Sequence, residues 1–455
     1  MQHAARLKSL KSQLTALDPV RGVGRITAVR NGVLSVAGLD QTARIGDRAA
    51  ITLQSHKTLS GEVVQLTPGG LILLPDQSVD GVALGDRVTL DRNTGIAPDI
   101  HWLGRIVDPD GHPLDGDRLT PGLVRRPLQR PPPPAAARRP LGKRLRTGHV
   151  VFDTMLPIVR GQRIGLFAGS GVGKSSLMGA FAQTMEADVV VIAMIGERGR
   201  EVRHFVDEVL GPDGRARSVV IAATSDQSPL VRRRCAWTAM AVAEHFRDLG
   251  MSVLLLADSI TRFAEAHREV AVAAGEAPVL RGFPPSTSHL IMSLCERAGP
   301  GVEDLGDITA IFSVLVAGSD MDEPIADILR GVLDGHVVLS RDIAERGRFP
   351  AVDVLRSVSR SLPAAATDDE NAVINETRKH LGVYAQNQMM ISAGLYANGT
   401  NPEIDSAIQV WGSLDEAMGL THPNDCAFSF DQLKLVLRRA GRNGRANAAA
   451  NQVRA

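Results

Sequence analysis

A glycine-rich turn between an apolar run and a helix-forming run constrains the fold of this chain more than any other feature. The turn covers residues 168–175 (AGSGVGKS). It follows the apolar run Ile164–Phe167 and opens a stretch, Ser175–Thr184, that we expect to be helical. Strand, glycine loop and helix in this order form a cradle for phosphate, because glycines let several backbone N–H groups point at its oxygens. The helix N-terminus adds the positive end of its dipole. The turn therefore predicts a nucleotide-binding α/β domain.

The residue types in the turn suggest separate tasks. Lys174 should reach the β- and γ-phosphates of a nucleotide, and the Ser175 hydroxyl should coordinate Mg²⁺. Ala168 stands where such loops often have their first glycine, a position that needs a small residue more than a flexible one. A glycine-rich turn that binds nothing is the alternative, and Lys-Ser directly after Gly173 argues against it. The predicted nucleotide contacts are Ala168, Gly169, Ser170, Gly171, Val172, Gly173, Lys174, Ser175 and Ser176.

Two carboxylates that end apolar strands complete the predicted site. Asp258 closes the run Val253–Ala257 and would hold the Mg²⁺ hydration shell. Glu197 ends a strand that we expect to lie next to the phosphate strand, where a carboxylate can orient and polarise a water opposite the γ-phosphate. Glu201 could do the same, and the residues alone do not choose between the two. The alternative for residues 195–202 is a surface lattice of Glu–Arg ion pairs.

Length and composition limit the class of protein. With 455 residues the chain exceeds the roughly 250–300 residues that one core serves, so two or three domains are expected. Lysine and arginine number 51 and aspartate and glutamate 50, which argues against a dedicated nucleic-acid coat or membrane-surface protein. Three widely spaced cysteines exclude a disulfide framework or zinc site as the organising device and fit a reducing, cytoplasmic compartment. No apolar run reaches the roughly 20 residues that cross a bilayer.

The pattern of short runs divides the chain into five segments. Residues 1–20 carry leucines at helical spacing, which predicts a docking helix for a partner; a helix on the protein's own surface or a weak membrane-surface helix are the alternatives. Residues 21–92 hold short β-rich runs between glycine and Asn/Asp turns, without an evident internal repeat, and predict a small β-barrel. Residues 93–365 alternate strand and helix, as a phosphate-loop (RecA-like) parallel sheet does. Residues 366–437 favour a helical domain, and residues 438–455 favour a disordered basic tail.

A proline-rich basic segment, residues 125–147, lies inside the predicted nucleotide domain. Its row of prolines, Pro131–Pro134, cannot donate to a helix or sheet, so the segment should be extended. Its arginines could bind the phosphates of nucleic acid or lipid. We favour the other interpretation, in which these charges find carboxylates on neighbouring parts of the protein.

These motifs give the chain a family resemblance. It resembles the hexameric ATPases related to the catalytic subunit of ATP synthase, and most closely the flagellar protein export ATPases, over roughly residues 20–435. Besides the AGSGVGKS loop, the resemblance rests on the motifs GERGREV (196–202), LADSITRF (256–263), RGFPPS (281–286), ERAG (296–299), LDGHVVLSR (333–341), FPAVDVLRSVSR (349–360) and LGRIVDPDGHPLDG (103–116).

The resemblance implies roles for residues at matching positions. Lys174 and Ser175 match the family's phosphate and Mg²⁺ contacts, and Asp258 matches its metal-site aspartate. Glu197 matches the catalytic glutamate, which selects it over Glu201. The remaining implied roles are Arg198 and Arg262 lining the phosphate site, Phe349 stacking on adenine, and Arg360 as an arginine finger given to the neighbouring subunit's site.

The resemblance also implies a function and partners. It implies a homohexameric, ATP- and Mg²⁺-dependent hydrolase in the cytoplasm, at the inner face of the cytoplasmic membrane, that energises export of flagellar proteins through a type III secretion apparatus. The expected partners are a dimeric stator-like regulator bound through the N-terminal helix, the export gate, a stalk protein and chaperone–cargo complexes. A peripheral membrane contact is a further expectation, and no specific nucleic acid is expected.

Several other functions remain as alternatives at this point. Within the same class of machine, the chain could serve a virulence injectisome or be the catalytic subunit of a proton-translocating rotary ATPase. A noncatalytic ring subunit is disfavoured because the noncatalytic subunits of the ATP synthase family lack a glutamate at the place of Glu197. A ring-shaped RNA translocase similar to the termination factor Rho is disfavoured by an aromatic content of only 4% and by the GERGREV segment.

Overall fold

A computed structural model describes residues 22–91, 95–116, 118–279, 281–316, 321–422 and 425–438. The predicted docking helix, residues 1–20, and nearly all of the predicted tail lie outside the described residues. Within the described ranges, no helix is long and apolar enough to cross a membrane.

The first part of the chain is a closed six-stranded β-barrel, as predicted. Along most of its strands every second residue is buried, so one face of the sheet forms the barrel's interior. The strands meet in the order β1-β2-β5-β4-β3-β6. Their bounds are β1 Val23–Arg30, β2 Val33–Ala37, β3 Arg48–Thr52, β4 Thr58–Thr67, β5 Gly70–Pro75 and β6 Arg87–Asp91.

The barrel contains an internal twofold repeat that the sequence analysis missed. β1 pairs with β2 and β6, and β4 pairs with β5 and β3, so exchanging β1–β3 for β4–β6 leaves every pairing unchanged. The same turn precedes β3 and β6. Gly46 and Gly85 adopt φ angles of +89° and +86°, and Asp47 and Asp86 each accept a 2.8 Å hydrogen bond from the backbone N–H three residues earlier. Only the Gly-Asp-Arg triplet of each turn is identical in sequence, which is too little to reveal the repeat.

The central domain is a sheet of eight strands, largely parallel, in the order β14-β13-β8-β12-β11-β9-β10-β7. The central strands β9 and β11 are buried along nearly their whole length, as expected for a parallel sheet covered on both faces. The fold class predicted from the sequence is therefore confirmed. The bounds are β7 Ile106–Val107, β8 Arg163–Ala168, β9 Val189–Glu197, β10 Ser218–Thr224, β11 Ser252–Asp258, β12 Asp307–Leu315, β13 Gly335–Leu339 and β14 Val358–Ser359.

Helices cover the sheet and form the C-terminal domain. A long helix of the nucleotide domain begins at Pro229, because Ser228 caps its N-terminus and proline fits its first turn. The bounds are α1 Val150–Asp153, α2 Lys174–Thr184, α3 Gly199–His204, α4 Gly211–Ala216, α5 Pro229–Asp248, α6 Ile260–Ala273, α7 Ser286–Cys295, α8 Pro324–Val332, α9 Arg341–Glu345, α10 Asp368–Ser392, α11 Pro402–Met418 and α12 426–438, with a π-helical stretch at Phe205–Leu210.

The basic proline-rich segment lies along the nucleotide domain with its charges paired. It forms isolated antiparallel bridges to the domain, for example Arg138 with Val302 and Arg144 with Val159. The structure thus agrees with the interpretation that its arginines find carboxylates. Representative ion pairs, with their N–O distances, are Arg126–Asp248 (2.8 Å), Arg130–Glu244 (3.1 Å), Arg139–Asp307 (2.6 Å) and Arg144–Glu370 (2.8 Å).

A buried charged contact joins the barrel to the nucleotide domain. Glu62 of β4 accepts a 2.6 Å hydrogen bond from Arg233 of α5, and Arg234 lies 3.6 Å from its second oxygen. Glu62 and Arg233 are only 8% and 7% exposed. Because charges so far from water are tolerated only when paired, this contact fixes how the barrel sits on α5.

We predict that Glu62→Met destabilises the protein by about 3 kcal/mol, because it leaves the buried Arg233 guanidinium without its carboxylate, while Arg234 keeps Asp110 at 3.2 Å. The double variant Glu62→Met/Arg233→Met should recover part of that loss, since it also removes the unpaired Arg233 charge. Thermal unfolding of both variants measures this, with the exposed barrel residue Asp80→Asn as control. A double variant less stable than the single one would contradict the assignment.

Candidate nucleotide-binding site

The glycine loop connects β8 to α2 at the carboxyl edge of the sheet. Gly173 is the N-cap residue of α2 with a φ of +84°, a left-handed conformation that favours glycine. A Cβ atom at Gly173 would also lie 3.1 Å from the Phe349 ring. Gly171 has a φ of +77° and nothing within 4 Å of the place of a Cβ. The loop therefore needs glycine at both positions and has an open face at Gly171.

Lys174 contacts Asp258 across the top of the sheet. Lys174 begins α2 and Asp258 ends β11, and β12 lies between β11 and β8. The Ser313 hydroxyl of β12 donates a 2.6 Å hydrogen bond to the same carboxylate oxygen. The lysine and aspartate side chains are 11% and 8% exposed, so this is a largely buried ion pair. The structure thus brings the predicted phosphate lysine and metal-site aspartate together.

Glu197 lies at the same end of the sheet and closes its strand β9 as predicted, but β9 has a different place in the sheet. We expected its strand next to the phosphate strand; instead β12 and β11 lie between β8 and β9. The prediction failed because β11 and β12 come later in the chain and insert into the middle of the sheet. The carboxylate still comes close enough to interact with both Asp258 and Lys174.

The environment of Glu197 favours its protonated form. Burial is the main cause that raises its pKa, and the negative charge of Asp258 adds to it, while Lys174 opposes both. A hydrogen bond with Glu201 raises the pKa further, and together these effects bring it to about 7. A carboxyl with this pKa can accept a proton near neutral pH, and perturbed carboxyls of this kind are typical of functional sites.

The two predicted phosphate-site arginines are solvent-exposed and only loosely paired. Arg198 precedes α3 and lies 3.2 Å from Glu201, and Arg262 in the first turn of α6 lies 3.0 Å from Glu265. Exposed pairs of this kind are weak, so both guanidinium groups can turn towards an anion at the loop. Glu201 forms an ion pair with Arg198 and a hydrogen bond with Glu197, so it is a neighbour of the site.

Phe349 lies beside the loop, as an aromatic that stacks on a base would. Its ring packs against Gly173 and is 51% exposed, so one face is free for a planar ligand. The residues around it are anchored to the C-terminal domain: the Arg348 guanidinium lies 3.0 Å from Asp415 of α11.

Arg360 lies at the opposite end of the sheet, where the parallel strands β8 and β13 begin. It follows β14, whose Ser359 pairs with Gly335 at the start of β13, and its backbone N–H donates to the Asp334 carbonyl. β13 and β8 are parallel, so this end of β13 lies near the start of β8 and not near the loop that follows it. At about 3.3 Å per residue, the length of β8 separates Arg360 from its own chain's loop by roughly 20 Å. The structure does not bring Arg360 together with the other site residues of its chain.

A divalent cation fits this site together with phosphate. Mg²⁺ is usually held by one or two carboxylates plus substrate phosphates. The chain offers the Asp258 carboxylate and the Ser175 hydroxyl, which is exposed in the first turn of α2. Among the described residues, no cluster of three or more acidic, histidine or cysteine side chains forms a separate metal site.

Three residues around the site were missed from the sequence. Ser313 shares the Asp258 carboxylate, Arg341 donates to the Ser170 carbonyl at 3.3 Å, and the Arg232 side chain packs beside Gly196. Ser313 had a signal in the sequence, since it is the polar residue within the apolar run 310–315. Arg341 ends a motif of the resemblance that carried no role for it, and Arg232 lies in a run of three arginines that favours a surface position.

Comparison with protein families and known proteins identifies relatives across most of the chain. Residues 148–359 match the nucleotide-binding domain of the ATP synthase alpha/beta family, and residues 366–432 match the T3SS EscN ATPase C-terminal domain. The flagellum-specific ATP synthase of Caulobacter vibrioides is 42% identical over 89% of this chain and 93% of its own length. The type 3 secretion system ATPase of Xanthomonas euvesicatoria is 40% identical over 88% of this chain and 90% of its own.

Solved structures agree with the sequence relatives. The assembled ATPase EscN of the enteropathogenic E. coli type III secretion system superposes with a TM-score of 0.83 at 34% identity, covering 91% of this chain and all of that one. EscN in complex with its central stalk EscO superposes with a TM-score of 0.81 at 35% identity, with the same coverage.

We predict that Glu197→Gln makes the protein more stable at pH 8 but not at pH 5. The folded pKa of Glu197, about 7, is above its ordinary value of 4.5. Between these values the folded state binds more protons than the unfolded state, so stability falls as the pH rises. Glutamine has the same shape and no charge, so it escapes this loss. Unfolding midpoints at the two pH values measure the effect, with exposed Glu208→Gln as control. A difference independent of pH would contradict the buried carboxyl.

Proposed function

Because the chain belongs to the ATP synthase alpha/beta family, among the flagellum-specific and type III secretion ATPases, we propose that it forms a homohexameric ring whose Mg²⁺-dependent ATP hydrolysis drives export of flagellar proteins. The chain is an ATP hydrolase and an ATPase of type III export. The observation that carries the proposal for the site is the meeting of Lys174, Asp258 and a carboxyl with a pKa of about 7, Glu197, at the mouth of a glycine loop.

When a nucleotide binds, Lys174 exchanges its contact with Asp258 for a contact with the phosphates. The β- and γ-phosphates carry more negative charge than Asp258, so the lysine turns towards them while the loop's N–H groups hold the phosphate oxygens. Asp258 and Ser175 are then free to hold Mg²⁺. When bound, Mg²⁺ neutralises charge on the phosphates. The Asp258–Lys174 contact supports this proposal because it already sets both groups at one point.

Glu197 orients and polarises the attacking water. A general base works best with a pKa near the operating pH, and burial together with Asp258 brings the pKa of Glu197 there. Arg198 and Arg262 neutralise charge on the phosphate oxygens from their exposed positions. Phe349 stacks on adenine through its free face.

Arg360 acts on the neighbouring subunit's site. A guanidinium near the γ-phosphate stabilises the charge that develops in the transition state, an effect worth roughly 10³–10⁵ in rate in other phosphate-loop enzymes. The position of Arg360 at the far edge of its own sheet supports an action in trans. A ring in which every subunit lends its finger to the next closes with cyclic symmetry. The assembled form of EscN supports such a ring.

The wider assembly is part of the same proposal. A stalk protein contacts the ring, by analogy with EscN and its stalk EscO. The segment 1–20 binds a dimeric stator-like regulator, which holds the ring at the export gate on the inner face of the cytoplasmic membrane. There it receives chaperone–cargo complexes and makes a peripheral membrane contact. The pairing of the basic segment with carboxylates supports a function without specific nucleic acid.

A virulence injectisome is the second candidate system. The Xanthomonas type 3 secretion system ATPase favours it, with an identity of 40% against 42% for the Caulobacter flagellar relative, and so does the likeness to EscN. The neighbouring genes distinguish the two systems. A ring formed by the purified chain alone, without a second ring subunit, distinguishes both from a rotary ATP synthase.

We predict that Glu197→Gln binds Mg·ATP as tightly as the wild type but turns over about 10²–10⁴ times more slowly, because the amide cannot accept the proton. Nucleotide affinity and kcat should be measured separately, with Glu201→Gln as the neighbouring control that keeps most of its kcat. Equal losses of affinity and kcat in Glu197→Gln would mean that the residue is structural.

We predict that Arg360→Ala and Lys174→Ala subunits, each nearly inactive alone, recover activity in mixed rings. With random mixing, about a quarter of the interfaces join an intact loop to an intact finger. ATPase activity of rings whose mixed composition has been verified measures this, and Lys174→Ala mixed with Glu197→Gln is the control, since both lie in one site. No recovery in the first mixture would contradict an action in trans.

A further inference from the structure

The segment that carries Arg360 is held by Arg163, the first residue of the phosphate-loop strand β8, and by Asp334, which directly precedes β13. We propose that Arg163 and Asp334 are positioning residues for Arg360, so that they control the rate at the neighbouring subunit's site and not at their own. This inference rests on the proposed role of Arg360 as a finger in trans.

Arg360 is held at two points. Its backbone N–H donates a 3.0 Å hydrogen bond to the Asp334 carbonyl, and its Nη2 donates a 3.0 Å hydrogen bond to the carbonyl of Arg330. Arg330 lies in the last turn of α8, where helix carbonyls lack intrahelical partners and carry the negative end of the dipole. This carbonyl therefore orients the guanidinium without neutralising it.

Asp334 is itself fixed by Arg163, the first residue of β8. Its carboxylate accepts three hydrogen bonds from that residue, from the backbone N–H at 3.0 Å, from Nε at 3.1 Å and from Nη2 at 3.1 Å. In return the Asp334 N–H donates to the Arg163 carbonyl at 2.8 Å. The Gln162 amide adds a 3.1 Å hydrogen bond to the Asp334 carbonyl. The Asp334 carbonyl that accepts the Arg360 hydrogen bond is therefore fixed through contacts of both the Asp334 carboxylate and the Asp334 backbone.

The charges leave Arg360 as the group available to a partner. The Asp334 carboxylate is already ion-paired with Arg163, which also lies 2.6 Å from Glu296. Among the described residues, no carboxylate lies within ion-pair distance of Arg360. A flexible arginine contributes to a transition state only if its position is restricted beforehand, and an error of about 1 Å can cost roughly 10²-fold in rate. The backbone of Asp334 and α8 supply that restriction.

β8 complicates the test, because it begins at Arg163 and ends at the chain's own phosphate loop. A substitution at Asp334 could therefore act through either end of the strand. The two possibilities give opposite results in mixed rings, since a damaged finger is rescued by a partner with an intact finger and a damaged loop by a partner with an intact loop.

The experiment uses Asp334→Ala in the full-length chain, with Asp334→Asn as a milder variant that keeps an acceptor for the Arg163 N–H. Exposed Asp327→Ala on α8 is the control with unchanged activity. We expect Asp334→Ala to lower kcat about 10- to 100-fold with ATP affinity within about twofold of the wild type. Mixed with Lys174→Ala it should recover to the level of the Arg360→Ala/Lys174→Ala mixture. Mixed with Arg360→Ala it should recover nothing.

Each outcome decides between the explanations. Recovery with Arg360→Ala but not with Lys174→Ala would place the fault in the chain's own loop and overturn the inference. If Arg360→Ala itself is not rescued by Lys174→Ala, the proposed finger in trans fails first. If Asp334→Ala does not assemble, the same two mixtures are made with Asp334→Asn, and wild-type kcat in that variant together with an intact ring would also overturn the inference.

Discussion

The contact between Lys174 and Asp258 organises the nucleotide site of this protein. It joins the helix that follows the glycine loop to the end of a strand that lies beyond β12, and Ser313 shares the same carboxylate. Both charges are largely buried, so each depends on the other to remain in place. The same negative charge raises the pKa of Glu197, so Asp258, Lys174 and Glu197 form one electrostatic unit.

A second consequence of the sheet is that one strand connects two sites. β8 ends at the phosphate loop of its own subunit and begins at Arg163, which holds Asp334 and through it Arg360. In the proposed function, a subunit therefore offers a binding loop at one end of its parallel strands and a finger at the other. On that proposal a single subunit has an incomplete site, and a closed ring is needed to complete every site.

The sequence alone predicts the fold class and most of the site, for identifiable reasons. The glycine loop between strand and helix and the apolar strand ending in Asp258 are local patterns, and local patterns survive in any parallel sheet. Strand order is not local, so the expectation that the Glu197 strand adjoins the phosphate strand was wrong. The barrel's repeat also escaped notice, because it is carried by pairing and turn geometry more than by identical residues. The contacts of Arg360 with Asp334 and α8 could not be predicted either, since every residue has a backbone carbonyl and a hydrogen bond to one requires no particular residue type.

The most direct test of this account is a structure of the assembled ring with Mg²⁺ and a non-hydrolysable ATP analogue. We expect Lys174 to leave Asp258 for the phosphates, Glu197 to face the γ-phosphate, and the partner subunit's arginine finger to enter the site from across the interface, still held at its base by its own chain. A ring in which Lys174 and Asp258 stay paired beside a bound nucleotide, or in which each finger remains far from every γ-phosphate, would contradict the account.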